Sequence, residues 1–238
     1  MDADTPFTTG LGSDFWSGVR AALPLWLGIT PYGLAFGLLG RTVGLSDAAT
    51  QAMSLLVFAG SAQFLALGLI GGGASYLLIV LTTLVINLRH LLYAASLGPC
   101  LGKLPERWKP AVAFLLTDEA YAVTIDRFRR PGAMPSRAFY LGVGLAMYTD
   151  WNVSTALGLA LGSLVPDPAA LGLDFALPAT FIGLLAPQLH SRAAWATLVV
   201  AGVAVLALSS LPGRLDVLTA IILAATAGWG VETWLRHS

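Results

Sequence analysis

Charge is scarce in this sequence. Lysine, arginine, aspartate and glutamate make up 11% of its 238 residues, thirteen basic against thirteen acidic, where an ordinary soluble domain is about a quarter charged. No basic run or stripe exists to neutralise phosphates, which argues against nucleic acid as a partner. Cysteine is nearly absent: Cys100 stands alone, so no intramolecular disulfide forms and the residue reads as a packing group. The three histidines, His90, His190 and His237, are far apart, and none falls in a metal-ligand spacing. No G-x-x-x-x-G-K-[ST] run occurs, and the Gly71, Gly72, Gly73 triplet lacks the lysine that would grip a phosphate. Nothing in the sequence calls for a cofactor. The first residues, MDADTPFTTGLGSDFW, carry acids where a signal peptide carries positive charge. Residues 1–15 are expected to be a flexible leader, and 16–238 a single domain.

What fills the chain instead is apolar. Hydrophobic residues account for 56% and the mean hydropathy is +0.76. A globule of this size is mostly surface and cannot hide that much apolar area from water, so the solvent is lipid. A helix crossing about 30 Å of hydrocarbon needs roughly 20 apolar residues. Candidate spans lie at 21–40, 52–71, 74–101, 110–125, 138–165, 169–187, 193–211 and 215–234. The expected fold is an all-α, polytopic bundle of seven or eight transmembrane helices, some kinked or broken. Pro24 and Pro31 interrupt the first span, Gly60 the second, and the fourth is short. Trp16, Trp108, Trp195 and Trp234 lie near span ends, where interfacial aromatics belong. With eight spans, seven arginines gather on the N-terminal side against five basic residues opposite, which favours a cytoplasmic N-terminus. An internal two-fold repeat is a further expectation: residues 36–49 resemble 157–170, and 57–65 resemble 180–189, about half a chain apart. Transporters are commonly built from such repeats, with the site between them.

The informative residues are those that lipid does not tolerate. LTTLVINLRHLLYAASLGP (81–99) holds Asn87, Arg89 and His90 near the middle of its span. A central arginine costs about 3 kcal/mol on insertion scales, so it is expected to face a protein interior or a wet cavity and to carry a counter-ion. PAVAFLLTDEAYAVTIDRF (110–128) places Asp118 and Glu119 in the middle of the next span, which makes Arg89–Asp118 the natural pair. It reads either as a structural clasp or as part of a substrate or ion path. In SLLVFAGSAQFLALGLI (54–70), Gly60, Ser61, Ala62 and Gln63 interrupt large apolar residues. They mark either close helix packing or a helix break whose N–H groups and Ser61 hydroxyl face an anion. Asp150, in MYTDWN (147–152), is a fourth acidic candidate, or an interfacial residue. Arg89, Asn87 and the Gly60–Ser61 region suit a carboxylate. Asp118, Glu119 or Asp150 suits an ammonium, and the apolar surroundings an aliphatic side chain.

The ordered set PYGLAFGLLGRTVGLS, FAGSAQF, NLRHLLYAASLGP, LTDEAYAV, YTDWNVSTALGLALG and GLDFALPATFIGLLAP resembles the AzlC family of branched-chain amino acid permeases, from about Gly18 to Pro187. The resemblance implies the large subunit of an exporter of valine, leucine, isoleucine and sometimes methionine in the bacterial inner membrane. The family is similar to carriers driven by the proton gradient, and it implies a small AzlD-type membrane subunit as partner. Its pattern carries onto Gly60, Ser61, Gln63, Asn87, Arg89, His90, Asp118 and Glu119. On that reading Arg89, Asn87, Gly60, Ser61, Gln63 and Asp118 bind substrate, while His90, Glu119 or Asp118 carries the proton. Two other readings are a non-transporting scaffold subunit and an intramembrane hydrolase using Ser61 with His90 or His190.

Overall fold

The computed structural model describes residues 11–101, 106–130, 136–164, 182, 186, 189–209 and 215–237. Ten α-helices cover most of them: α1 (Leu11–Thr42), α2 (Asp47–Leu56), α3 (Gly60–Gly71), α4 (Tyr76–Asn87), α5 (Arg89–Leu101), α6 (Lys109–Phe114), α7 (Asp118–Arg129), α8 (Arg137–Ser163), α9 (Arg192–Ala207) and α10 (Leu215–His237). A 3-10 turn, Glu106–Trp108, precedes α6, and no strand occurs among the described residues. The starts are written in the sequence. Ser46, Ser75, Thr117, Ser136 and Ser191 each accept a hydrogen bond from the N–H three residues on, satisfying a donor the first helical turn leaves open.

Helix α1 starts at Leu11, inside the stretch expected as leader, and runs unbroken through Pro24 and Pro31. Gly12–Thr42 and Tyr76–Pro99 are long and apolar enough to cross a membrane. The second of these counts α4 and α5 together, interrupted only at Leu88. Its outward side chains are bare: Tyr76 is 89% exposed, Leu92 72% and Leu77 68%, an apolar face that only lipid or another membrane protein can solvate. Two other expected spans are also divided: 52–71 into α2 and α3, and 110–125 into α6 and α7. The span expected at 169–187 lies outside the described residues apart from 182 and 186, and of the second half of the repeat match only 157–164, 182, 186 and 189 are described.

Among the described residues the most extensive contact is between α1 and α8, and glycine makes it. A Cβ built on Gly18 would stand 2.1 Å from the carbonyl oxygen of Phe139, and one on Gly142 2.1 Å from that of Phe15. Further along, Gly37 meets the Thr155 carbonyl at 2.2 Å and Gly158 that of Leu34 at 2.1 Å. No side chain fits at those distances, so backbones touch directly, as small residues allow in membranes. Residue numbers rise together along the seam, so the two helices run parallel. On one flank of this pair, Phe36, Phe64 and Trp151 form an aromatic cluster, with ring centroids 5.8 to 6.5 Å apart.

Candidate functional site

Three breaks in the helices build the site. Between α2 and α3, Phe58 takes φ +44°, a left-handed conformation that costs a bulky residue about 1–3 kcal/mol. Its ring is held in place, edge-on to Tyr148 at 5.0 Å and against Phe114 at 5.9 Å. The break lets α3 begin at Gly60, where a Cβ would meet the Trp151 ring at 3.2 Å. Leu88 separates α4 from α5, so Arg89 opens a helix. Leu115, Leu116 and Thr117 separate α6 from α7, and Thr117 caps α7 through its hydroxyl. Asp118 and Glu119 therefore do not sit in mid-helix, as expected from the apolar run around them. They occupy the first turn of α7, where the positive end of the helix dipole favours carboxylates.

The opening residues of α3, α5 and α7 line one cavity of about 520 Å³. Gly60 and Ser61, then Arg89 and His90, then Asp118 and Glu119 supply its polar wall, while α1 and α8 close it with Ile29, Tyr32, Met147 and Trp151 among others. The expected pair forms: Arg89 Nη2 lies 2.9 Å from Asp118 Oδ2 and also donates to Ser61 Oγ. Their side chains are 33% and 39% exposed, so the pair is neither sealed in protein nor free in solvent. Each partner keeps a buried polar atom with no hydrogen bond, Nε of Arg89 and Oδ1 of Asp118. An arrangement that leaves a cation donor and an anion acceptor unsatisfied side by side is costly unless something fills it. His90 places Nδ1 3.2 Å from the Asn87 carbonyl. A carbonyl only accepts, so in that contact Nδ1 carries the hydrogen.

Two of the expected substrate ligands stand elsewhere. Gln63 is fully buried and is absent from the cavity wall. Its Oε1 accepts from the Ala59 N–H at 3.2 Å, and its amide donates to Ser54 Oγ at 3.4 Å. It stitches the open N-terminus of α3, for which no side-chain cap exists. Asn87 closes α4 outside the cavity wall, its amide oxygen buried without a partner. Sequence reading missed Tyr93 and Thr117 as lining residues. The Tyr93 ring stacks on Tyr121 at 4.6 Å, and the Tyr121 and Ser96 hydroxyls are 3.0 Å apart. Thr117 was legible after all, since Thr-Asp-Glu is a helix-start signature.

For the hydrolytic reading, His90 lines the same cavity as Ser61, but among the described residues no hydrogen bond joins the two: His90 bonds the Asn87 carbonyl. The hydroxyl of Ser61 takes its hydrogen bond from the Arg89 guanidinium, which has no lone pair with which to remove a proton. His190 is exposed.

Comparison with known proteins places the chain. The family model described as AzlC protein matches residues 24–165. A membrane protein of Archaeoglobus fulgidus is 33% identical over 180 residues, 75% of this chain and 77% of the relative. Inner membrane protein YgaZ of Escherichia coli is 30% identical over 189 residues, 78% and 77% of the two chains. The branched-chain amino acid transport protein AzlC of Bacillus subtilis is 28% identical over 231 residues, 94% and 87%. No solved structure matches. A family model matched over more than half the chain, across the residues that line the cavity from Leu25 to Trp151, makes this protein a member of the AzlC family.

Proposed function

We propose that the protein is a secondary carrier that exports branched-chain and similar hydrophobic amino acids, coupled to the proton gradient, across a bacterial inner membrane that it crosses several times. The observation that carries this reading is the half-satisfied Arg89–Asp118 pair in a cavity of otherwise mostly apolar wall. A zwitterion offers a carboxylate to the Arg89 guanidinium and an ammonium to the Asp118 carboxylate, and an aliphatic side chain suits Ile29, Met147 and Trp151. Three helix starts around the same space favour the carboxylate end. The name of the Bacillus subtilis relative agrees with the substrate class. His90 and Glu119 line the same cavity and are candidates to exchange the coupling proton. A small AzlD-type subunit is the proposed partner, and the bare face of α4 and α5 offers room for one.

The reciprocal contacts of Gly37 with Thr155 and Gly158 with Leu34 support reading α1 and α8 as corresponding helices of two related halves. A two-fold axis along the membrane normal exchanges such parallel helices. A scaffold subunit would have no use for the cavity or for a charge pair left incomplete inside it.

The test is isoleucine appearing outside bacteria fed an isoleucine-containing dipeptide. Cells carry this chain with its proposed small partner, as wild type or as Arg89→Ala at matched abundance. Export by the wild type alone is the expected result. Export by neither, with valine, leucine and methionine dipeptides also tried, sinks the substrate assignment.

A further inference from the structure

The cavity is not the only place where this membrane domain hides a charge-bearing group. Asp150 sits in the middle of α8 and is 6% exposed. It is not in the cavity wall, although its neighbours Met147 and Trp151 are. One carboxylate oxygen, Oδ1, accepts from the Thr30 hydroxyl of α1 at 2.7 Å. The other, Oδ2, is buried with no hydrogen-bond partner. Among the described residues no lysine, arginine or histidine pairs with it.

The surroundings make this isolation specific. Helix α1 carries no charged residue between Arg20 and Arg41, and it presents Thr30 and, one turn before, Trp26, whose indole N–H is also buried without a partner. Helix α2 meets α8 through Gln51, bonded to Asn152, and its one acid, Asp47, is taken by Arg41. Helix α3 has no charged residue. Helix α7 brings Asp118 and Glu119, which line the cavity together with Arg89 and His90, and its remaining charges, Asp126, Arg127 and Arg129, lie in its last turns. Phe128 and Tyr121 of α7 carry no charge at neutral pH. An ionised carboxylate with one hydroxyl donor and no cation is expensive so far from water. A neutral acid in the same place is far cheaper, because protonation removes the charge that no cation balances.

We propose that Asp150 is a proton-binding site, occupied in this conformation and emptied when the α1–α8 seam admits water, and that it is the residue through which proton movement is coupled to transport. The inference rests on the carrier reading for the coupling, but the occupancy of the site does not. Asp118, by contrast, has the Arg89 guanidinium beside it. Trp151, adjacent to Asp150 in sequence and part of the cavity wall, gives substrate binding a direct means of shifting the seam.

Infrared spectroscopy of the purified full chain, with its partner where one is needed for stability, reads the proton directly. At neutral pH a deuterium-sensitive C=O stretch of a protonated carboxyl group is expected in the wild type. It should persist in Glu119→Gln and vanish in Asp150→Asn, which retains an oxygen to accept from Thr30. A band unchanged in Asp150→Asn overturns the proposal. Thr30→Val removes a donor that favours the ionised form, so the pH at which the band disappears should rise; no shift also counts against the assignment. In vesicles, Asp150→Asn should exchange isoleucine across the membrane yet lose all accumulation driven by a pH gradient. Retained gradient-driven accumulation refutes the coupling role. A wild type indifferent to the gradient refutes coupling by this protein altogether, and the infrared band then still decides whether Asp150 holds a proton.

Discussion

Arg89 and Gln63 are both polar residues in apolar helices, and the structure separates them by whether the fold satisfies their polar atoms. Arg89 opens α5, lines the cavity and keeps a buried Nε without a hydrogen bond. Replacing it by alanine leaves Asp118 without its cation and, on the proposed carrier reading, removes the partner of the substrate carboxylate. Transport is expected to fall to the level of empty cells, and stability by about 1.5–3 kcal/mol, the range for a hydrogen bond to a charged group. The double variant Arg89→Ala with Asp118→Asn should regain abundance on an immunoblot but not transport. Regained transport would mean the pair is only a clasp. Gln63 spends both ends of its amide within the fold. Gln63→Leu strands the Ala59 N–H, costing about 1–3 kcal/mol, so a thermal-unfolding assay should register it while the KM for substrate stays unchanged.

At the scale of elements, the seam of α1 and α8 and the three breaks place the site, and they differ in how far the sequence declared them. The apolar runs and the Ser and Thr caps announce most helices. The counter-ion of Arg89 was legible too, because a charge inside a span demands an opposite charge nearby and Asp118 stands in the next one. The breaks were harder to read. Nothing local to Leu88 is a breaker, and the left-handed turn at Phe58 survives only because Tyr148 and Phe114 grip its ring from distant parts of the chain. Tertiary packing overrides propensity there, and the roles of Gln63 and Asn87 depend on it. The glycine seam is equally invisible without knowing which helices meet, since glycines at open positions look the same in sequence. Substitution tells them apart. Gly158→Leu puts carbon where the Leu34 carbonyl stands and should cost about 3 kcal/mol or more, seen as loss of folded protein in detergent. Gly202→Ala, in α9 with nothing within 4 Å, should be neutral or stabilising by up to about 1 kcal/mol.

For the whole molecule, the parallel packing of α1 and α8 constrains how the chain threads the bilayer. If α1 and α8 both cross, parallel packing requires an odd number of crossings between them, which one crossing each by α2 with α3, α4 with α5 and α6 with α7 would satisfy. The starts of α1 and α8 then share one side of the membrane, and their ends share the other. Single cysteines at Gly12, Ser136, Thr42 and Leu164, in a chain whose Cys100 is replaced by alanine, make this measurable with an impermeant maleimide applied to intact cells and to inverted vesicles. Gly12 and Ser136 should label from one side, Thr42 and Leu164 from the opposite one. The positive-inside count puts the first pair in the cytoplasm. If Gly12 and Ser136 label from opposite sides, the parallel seam is wrong, and with it the two-fold relation between the halves. If the pairs sort as expected but with the reverse orientation, the seam stands and only the arginine count has failed, because packing and insertion respond to different parts of the sequence.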